Sequence, residues 1–210
     1  MEFESFLLLI SRVKNNEPGG LTSQFKMAPV ERKILSELSI DRRNPKKAAV
    51  LALFYPNRKN ETCFSLILRP NYKGVHAKQI SFPGGKFEMS DDSLQHTALR
   101  ETYEEIGVQT SDIQIEKQLT NTFIPPSNFL VSPFLGVINY TPRFTYNHEV
   151  EKVIEVKLLD LLKESSVTSK KLSTSYMKNI DVPYYKLNDY MVWGATAMML
   201  SEIKDLLKSI

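Results

Sequence analysis

Apolar and polar positions in the first third of the chain predict two helices followed by two strands. Residues 1–16, MEFESFLLLISRVKNN, predict an amphipathic helix, and residues 30–39 predict a second, short one. Residues 48–55 and 63–69 are short, continuous apolar runs, which are typical of buried strands. The intervening PNRKNE has the composition of a hairpin loop.

The rest of the chain continues with further helices and strands. Residues 93–106 predict a helix, for which Ser90 or Asp91 can serve as the N-cap and Gly107 as the stop. The remaining predicted elements are strands at 113–123, 130–138 and 152–158, a short helix at 158–163, and an amphipathic helix within 192–210. This order predicts an α+β fold with a strand core and helices on both sides.

The segment 71–92 is a long loop with several glycines and prolines and little periodicity. Loops of this length inside a compact domain usually carry function. The loop includes FPGGK, so that Gly84 and Gly85 lie shortly before the helix at 93–106. Because glycines allow backbone amides to approach an anion closely, this segment is a candidate for holding phosphate oxygens.

Composition limits the class of protein. The 210 residues are 42% hydrophobic and 24% charged, which is typical of one soluble globular domain. A net charge of +3 argues against a nucleic-acid-coating protein but permits a local basic patch for a small anion. The single cysteine, Cys63, excludes an internal disulfide and is predicted to be buried. Without a bilayer-length apolar run or a resemblance to a secretory signal, we expect a cytoplasmic protein without nucleic-acid or membrane partners.

Three glutamates gather on one side of the predicted helix at 93–106. Glu101, Glu104 and Glu105 repel one another at this spacing, and the helix dipole disfavours anions near the C-terminal end. A bound Mg²⁺ or Mn²⁺ would remove the penalty, since these hard cations prefer carboxylate oxygens. Arg100 can pair with a neighbouring carboxylate and fix its rotamer. The alternative is a solvated acidic face in which Arg100 pairs with Glu104.

The glycine segment and the glutamates together are what a diphosphate requires: amides for its oxygens, and metal ions that neutralise its charge and activate a water. GGKFEMSDDSLQHTALRETYEEIGV, residues 84–108, also resembles the Nudix box, G-x5-E-x7-R-E-U-x-E-E-x-G-U, which would span residues 85–108 and in which U is a bulky apolar residue. The matching positions are Arg100, Glu101, Glu104, Glu105, Gly107 and Val108. Thr102 departs from the pattern, and one extra residue leaves either Asp91 or Asp92 at the early acidic position.

The segment upstream, LRPNYKGVHAKQISFPGGK, resembles the signature that precedes the box in coenzyme A pyrophosphatases. The matching residues are Leu66, Arg69, His76, Gln79, Phe82, Pro83, Gly84 and Gly85. Pro70, Gly74 and Lys78 stand where that subfamily usually has serine, arginine and glycine. The similarity covers about residues 45 to 205.

The resemblance implies a Nudix fold, an α/β/α sandwich with a mixed β-sheet between helices, over residues 45–210. Residues 1–44 would then form an N-terminal helical extension that packs on this domain, where it covers a sheet edge or mediates a homodimer. The implied activity is Mg²⁺- or Mn²⁺-dependent hydrolysis of the diphosphate of coenzyme A (CoA) or acyl-CoA. The products would be 3′,5′-ADP and 4′-phosphopantetheine or its acylated form.

The resemblance also implies roles for individual residues. Glu101 and Glu105 would be the main metal ligands, with Glu104 sharing a metal or polarising water and Arg100 supporting them. The expected substrate-binding residues are Arg69, Lys73, His76, Lys78, Gly84 and Gly85. For the basic residues and His76, a purely structural or solvated role is the alternative. The candidates for the catalytic base are Glu104, Glu149 and Glu151.

Two other functions are consistent with the motifs. One is hydrolysis of another nucleoside diphosphate derivative, such as ADP-ribose, NADH or a dinucleoside polyphosphate. The other is a non-catalytic Nudix-fold ligand sensor. The intact R-E-x-x-E-E argues against a sensor, because a protein without turnover has no need to keep mutually repelling glutamates.

Overall fold

The structure is a computed structural model that describes residues 1–30, 32, 44–71, 78–173 and 179–209. The described α-helices are α1 (Phe3–Val13), α2 (Gly20–Gln24), α3 (Leu94–Ile106), α4 (Leu158–Leu162) and α5 (Gly194–Lys208). The described strands are β1 (Lys46–Pro56), β2 (Thr62–Leu68), β3 (Ile80–Ser81), β4 (Gly84–Lys86), β5 (Gln114–Gln118), β6 (Thr122–Ile124), β7 (Phe129–Val137), β8 (Lys152–Lys157), β9 (Val167–Leu172), β10 (Ile180–Leu187) and β11 (Tyr190–Trp193). The predicted helix at 30–39 lies almost entirely outside the described residues.

Strands β1 to β8 form one mixed sheet around β1. β1 runs parallel to β7 along one edge, from the pair Lys46 and Phe129 to the pair Phe54 and Val137. The other edge of β1 is divided, since β4 pairs with its first half and β2 with its end, both antiparallel. β1 and β2 therefore diverge, and the segment that contains β3 and β4 lies between them. This arrangement places Gly84 and Gly85 inside the sheet.

Side chains of β1 alternate between two apolar layers, as they do along any strand. Ala49, Leu51 and Leu53 face α3 and pack with Ala98 and Ile106. The opposite side of the sheet packs against α1 and α5 in a second cluster. Helices thus cover both faces of a mixed sheet, which confirms the predicted α/β/α fold class.

The N-terminal helices share the core with the sheet. Phe6 of α1 is fully buried, and its ring centroid lies 5.0 Å from that of Phe54 in β1. Buried Glu202 of α5 accepts hydrogen bonds from Gly20 N (2.9 Å) and Gln24 Nε2 (3.0 Å). The division of the chain at residue 44 stays a prediction.

Most predicted strands agree with the structure to within two residues, and Cys63 is buried as expected. The strand predicted at 113–123 is two strands, β5 and β6, because the chain leaves the ladder between them. The three-stranded antiparallel sheet β9–β10–β11 was not predicted from the sequence. The final helix begins only at Gly194, since residues 190–193 belong to β11. Within the described residues, no helix is long and apolar enough to cross a membrane.

Candidate active site

Helix α3 brings the predicted acidic residues against the loop that precedes it. The Ser93 hydroxyl caps the helix by accepting a hydrogen bond from His96 N at 3.1 Å, so the prediction of Ser90 or Asp91 as the N-cap is wrong. The helix ends at Gly107, as predicted, with a left-handed backbone (φ 75°) that favours glycine.

Glu105 is the most buried of the predicted metal ligands, with 1% of its surface exposed. Its carboxylate accepts a hydrogen bond from Gly84 N at 2.8 Å and lies 3.6 Å from Arg69 Nη2. Burial raises the pKa of Glu105 to about 7, although Arg69 and the Gly84 amide both oppose this rise. The site therefore holds a carboxylate whose charge is only partly compensated.

Glu101, Glu105 and Glu149 form a carboxylate cluster in which the nearest oxygens all lie within 4.8 Å of one another. Burial raises the pKa of Glu101, and the charges of Glu104 and Glu149 act in the same direction. Oxygens that share one Mg²⁺ at roughly 2.1 Å lie up to about 4.2 Å apart, so small side-chain adjustments would let all three bind one ion. The donor set fits a hard divalent cation.

The Gly84-Gly85 pair is held tightly against this cluster. A Cβ on Gly85 would overlap the Glu101 carboxylate, so a larger residue would displace that side chain. Gly84 has φ 149°, and a Cβ there would overlap Ala49 O and lie 2.6 Å from Val50 Cα. The Gly84 amide donates to Glu105 and positions this carboxylate, while the contacts of Gly84 and Gly85 with substrate stay predictions.

Arg100 organises the acidic residues around the cluster. It makes a bidentate pair with Asp91, at 2.9 Å from Nε and 3.1 Å from Nη2. Its Nη1 donates to Glu101 at 3.1 Å and to Glu104 at 3.0 Å. Asp92 points into solvent, with 98% of its side chain exposed, whereas Asp91 is buried. Asp91 therefore occupies the early acidic position that the sequence left open.

Glu104 does not belong to the carboxylate cluster, and its half-exposed side chain pairs with Arg100. Glu149 provides the third carboxylate of the cluster, and the predicted role of Glu104 in sharing a metal or polarising water stays a prediction. The sequence offered Glu149 only as one of several candidate bases, because no spacing relates the segment between β7 and β8 to helix α3. Glu151 donates its backbone N–H to Leu68 O at 2.9 Å, next to the start of β8.

Besides the two glycines, four residues were predicted to bind substrate. Arg69 is half-buried and donates to Gly84 O at 3.1 Å, so in the structure it supports the glycine segment. Lys78 is exposed and has a left-handed backbone (φ 55°). Lys73 and His76 lie outside the described residues. Their contacts with substrate stay predictions.

Known proteins resemble this chain in sequence and in fold. The family model for the NUDIX domain matches residues 45–174. Nudix hydrolase 15, mitochondrial, from Arabidopsis thaliana is 30% identical over 76% of this chain, and the match spans 58% of that protein. The human mitochondrial coenzyme A diphosphatase NUDT8 is 28% identical over 75% of this chain and 68% of its own length. The structure of RenU, a Nudix hydrolase from M. Smegmatis, has the same fold, with a TM-score of 0.56 and 12% identity over 79% of this chain and 88% of that one.

Proposed function

Because the chain belongs to the NUDIX domain family, we propose that it is a divalent-metal-dependent hydrolase of the diphosphate bond in CoA or acyl-CoA. The products are 3′,5′-ADP and 4′-phosphopantetheine or its acylated form. The observation that carries the hydrolase proposal is the carboxylate cluster of Glu101, Glu105 and Glu149 against the Gly84-Gly85 segment. The CoA assignment is supported by the upstream residues shared with coenzyme A pyrophosphatases and by the similarity to human NUDT8.

The three clustered carboxylates are the residues that would hold Mg²⁺ or Mn²⁺. When bound, the cation would neutralise the charge on the diphosphate and make an attacking water more nucleophilic. Arg100 orients Glu101, while the Gly84 amide and Arg69 orient Glu105. These contacts fix the carboxylates before substrate arrives, so little reorganisation is needed during the reaction.

Glu104 is the proposed proton acceptor. Its half-exposed carboxylate is one residue from Glu105 yet stands outside the cluster. In the reaction, the water oxygen forms a bond to phosphorus and the anhydride P–O bond breaks, while the proton from the water goes to the Glu104 carboxylate. Glu151 is the competing candidate. Glu104→Gln should then lower kcat much more than Glu151→Gln, and the reverse order would assign the proton to Glu151.

Hydrolysis of a substrate panel tests the proposal. The purified protein, with Mg²⁺ or Mn²⁺, is incubated with CoA, dephospho-CoA, ADP-ribose, NADH and a dinucleoside polyphosphate. We expect the highest kcat/KM for CoA, because the loop sequence supplies Lys73 and Lys78 as candidates to meet its 3′-phosphate. Faster turnover of ADP-ribose, NADH or the dinucleoside polyphosphate would refute the CoA assignment, and binding without any hydrolysis would indicate a ligand sensor.

Glu105→Gln is the matched variant for the metal-dependent chemistry. The substitution keeps the shape of the side chain and an acceptor for the Gly84 amide but removes a ligand charge, so kcat should fall by orders of magnitude while circular dichroism is unchanged. Near-normal turnover would refute the role of Glu105 as a metal ligand.

The cellular compartment and the oligomeric state of the protein are also proposals. We expect a cytoplasmic enzyme, and fractionation of cells with organelle markers tests this, since the Arabidopsis and human relatives are named as mitochondrial. The N-terminal helices either cover a sheet edge or mediate a homodimer, and sedimentation distinguishes the two by measuring the mass directly.

A further inference from the structure

Glu149 reaches the carboxylate cluster from a segment without regular structure. Residues 138–151 connect β7 to β8, and Glu149 itself is exposed. Holding an exposed side chain in one place costs conformational entropy, so a fixed third carboxylate needs contacts that position its backbone. Two sets of contacts in this segment do so.

The first set joins the segment to the end of α3. Thr145 N donates to Ile106 O at 3.3 Å, which satisfies one of the carbonyl groups left open at the end of a helix. The Thr145 side chain lies directly beside Gly107, where a Cβ would overlap Thr145 Oγ1 and lie 2.8 Å from the Thr145 carbonyl oxygen. The helix that carries Glu101 and Glu105 is thereby attached to the segment that carries Glu149.

The second set forms the turn that presents Glu149. Asn147 Oδ1 accepts a hydrogen bond from Glu149 N at 2.9 Å, and Val150 N donates to Asn147 O at 3.2 Å. Such a side-chain contact to the backbone two residues on is a typical asparagine turn. Val150 is 4% exposed and packs in the α3-side core, which anchors the far end of the turn.

We infer that Thr145 and Asn147 are positioning residues for the metal site: Thr145 attaches the segment to the end of α3, and Asn147 orients the turn that places the Glu149 carboxylate beside Glu101 and Glu105. This inference rests on the proposed metal-dependent function. Neither residue belongs to the sequence motif or to the carboxylate cluster. Groups that orient metal ligands commonly change metal affinity by 10- to 100-fold when they are removed.

Asn147→Ala tests the turn, with Asn57→Ala as its matched control. Asn57 Oδ1 accepts from Lys59 N at 2.9 Å and from Glu61 N at 3.0 Å in the β1–β2 hairpin, so it forms the same kind of turn elsewhere. Mn²⁺ affinity of the full chain without substrate is measured by electron paramagnetic resonance of free Mn²⁺. We expect a loss on the order of tenfold for Asn147→Ala, no change for Asn57→Ala, and partial recovery for Asn147→Ser, which keeps a neutral acceptor.

Gly107→Ala tests the attachment to α3, with Gly194→Ala as its control. The two glycines have similar left-handed backbones (φ 75° and 66°), but a Cβ on Gly194 meets no atom within 4 Å. Both variants therefore carry similar backbone strain, and only Gly107→Ala displaces Thr145. Only this variant should lose Mn²⁺ affinity, with circular dichroism establishing that both variants fold. If Gly107→Ala does not fold, the Asn147 variants alone decide the inference.

Glu149→Gln separates failure of this inference from failure of the proposed function. If Glu149→Gln weakens Mn²⁺ binding but the folded Asn147→Ala and Gly107→Ala variants bind like wild type, the positioning inference is refuted and the metal site stands. If Glu101→Gln, Glu105→Gln and Glu149→Gln all bind Mn²⁺ like wild type, the metal site of the proposed function is itself refuted.

Discussion

Replacing Asp91 by Asn should destabilise the fold more than the same change at the adjacent Asp92. Asp91 is 6% exposed and accepts hydrogen bonds from Arg100, Thr97 Oγ1 (2.9 Å) and Glu88 N (3.0 Å). All of these partners are donors, so the amide group of an asparagine would turn at least one N–H towards another donor. The side chain of Asp92 is 98% exposed, so its replacement should cost almost nothing.

The expected loss of stability depends on the hydrogen-bond acceptors that remain for Arg100. Breaking a buried ion pair by removing one partner typically costs about 3 to 5 kcal/mol. Arg100 retains Glu101 and Glu104 as acceptors, at 3.1 and 3.0 Å, so its charge is not left unpaired. We therefore expect about 2 to 3 kcal/mol, which lowers Tm by roughly 5 to 10 °C for a domain of this size.

Differential scanning calorimetry at pH 7 measures both variants. The hydrogen bond from Arg100 is the main reason that the pKa of Asp91 lies well below its usual value of 3.8. A group with a lowered folded-state pKa stabilises the fold fully above its unfolded pKa and loses this effect as the pH falls through the folded value. Below about pH 4 the difference between wild type and Asp91→Asn should therefore shrink. Equal Tm values for Asp91→Asn and Asp92→Asn at pH 7 would refute the reasoning.

Three further predictions concern other parts of the molecule. Arg69→Met should lower kcat for CoA and dephospho-CoA by the same factor, because Arg69 supports Gly84 and Glu105; a rise in KM for CoA alone would instead assign Arg69 to the 3′-phosphate. Gly85→Ala should weaken Mn²⁺ binding on the order of tenfold in calorimetric titration, because its methyl group displaces Glu101; unchanged affinity would contradict this. Phe6→Ala should lower the free energy of unfolding in urea by about 3 to 4 kcal/mol, and a loss below roughly 1 kcal/mol would mean that α1 is dispensable for the core.

Local patterns were enough to predict the elements that carry the site. β1 and β2 are continuous apolar runs buried on both faces, and α3 has a glycine at its end. Each of these signals is contained in a few adjacent residues, so it can be recognised without knowledge of the fold. The sheet β9–β11 has no such signal, because β9 is largely exposed and polar. The strongest signal for this sheet in the sequence is the pair Asn188 and Asp189, because these residue types favour two-residue hairpin turns. In the structure both residues have the left-handed backbone of such a turn, with φ 48° and 64°.

The candidate site was predictable only where its residues share one element. Glu101 and Glu105 are four positions apart on one helix, so their proximity follows from helix geometry. Glu149 lies on a segment 44 positions further along the chain than Glu105, and contacts of that segment, among them the hydrogen bond from Thr145 N to Ile106 O at the end of α3, hold it near the helix. Such a contact depends on tertiary packing, which no spacing in the sequence encodes.

The early acidic position explains why one extra residue before α3 is compatible with the site. Five residues separate Gly85 from Asp91, as in the motif, so the insertion lies between Asp91 and Arg100. Asp91 sits in a turn closed by its own N–H to Glu88 O at 3.0 Å, before the cap at Ser93. The extra residue is therefore accommodated in the connection between the turn and the helix, where Asp92 is exposed, and the helix keeps its register. What the site requires is a carboxylate within reach of Arg100, and Asp91 meets this requirement although it lies one residue further from Arg100 along the chain than in the motif.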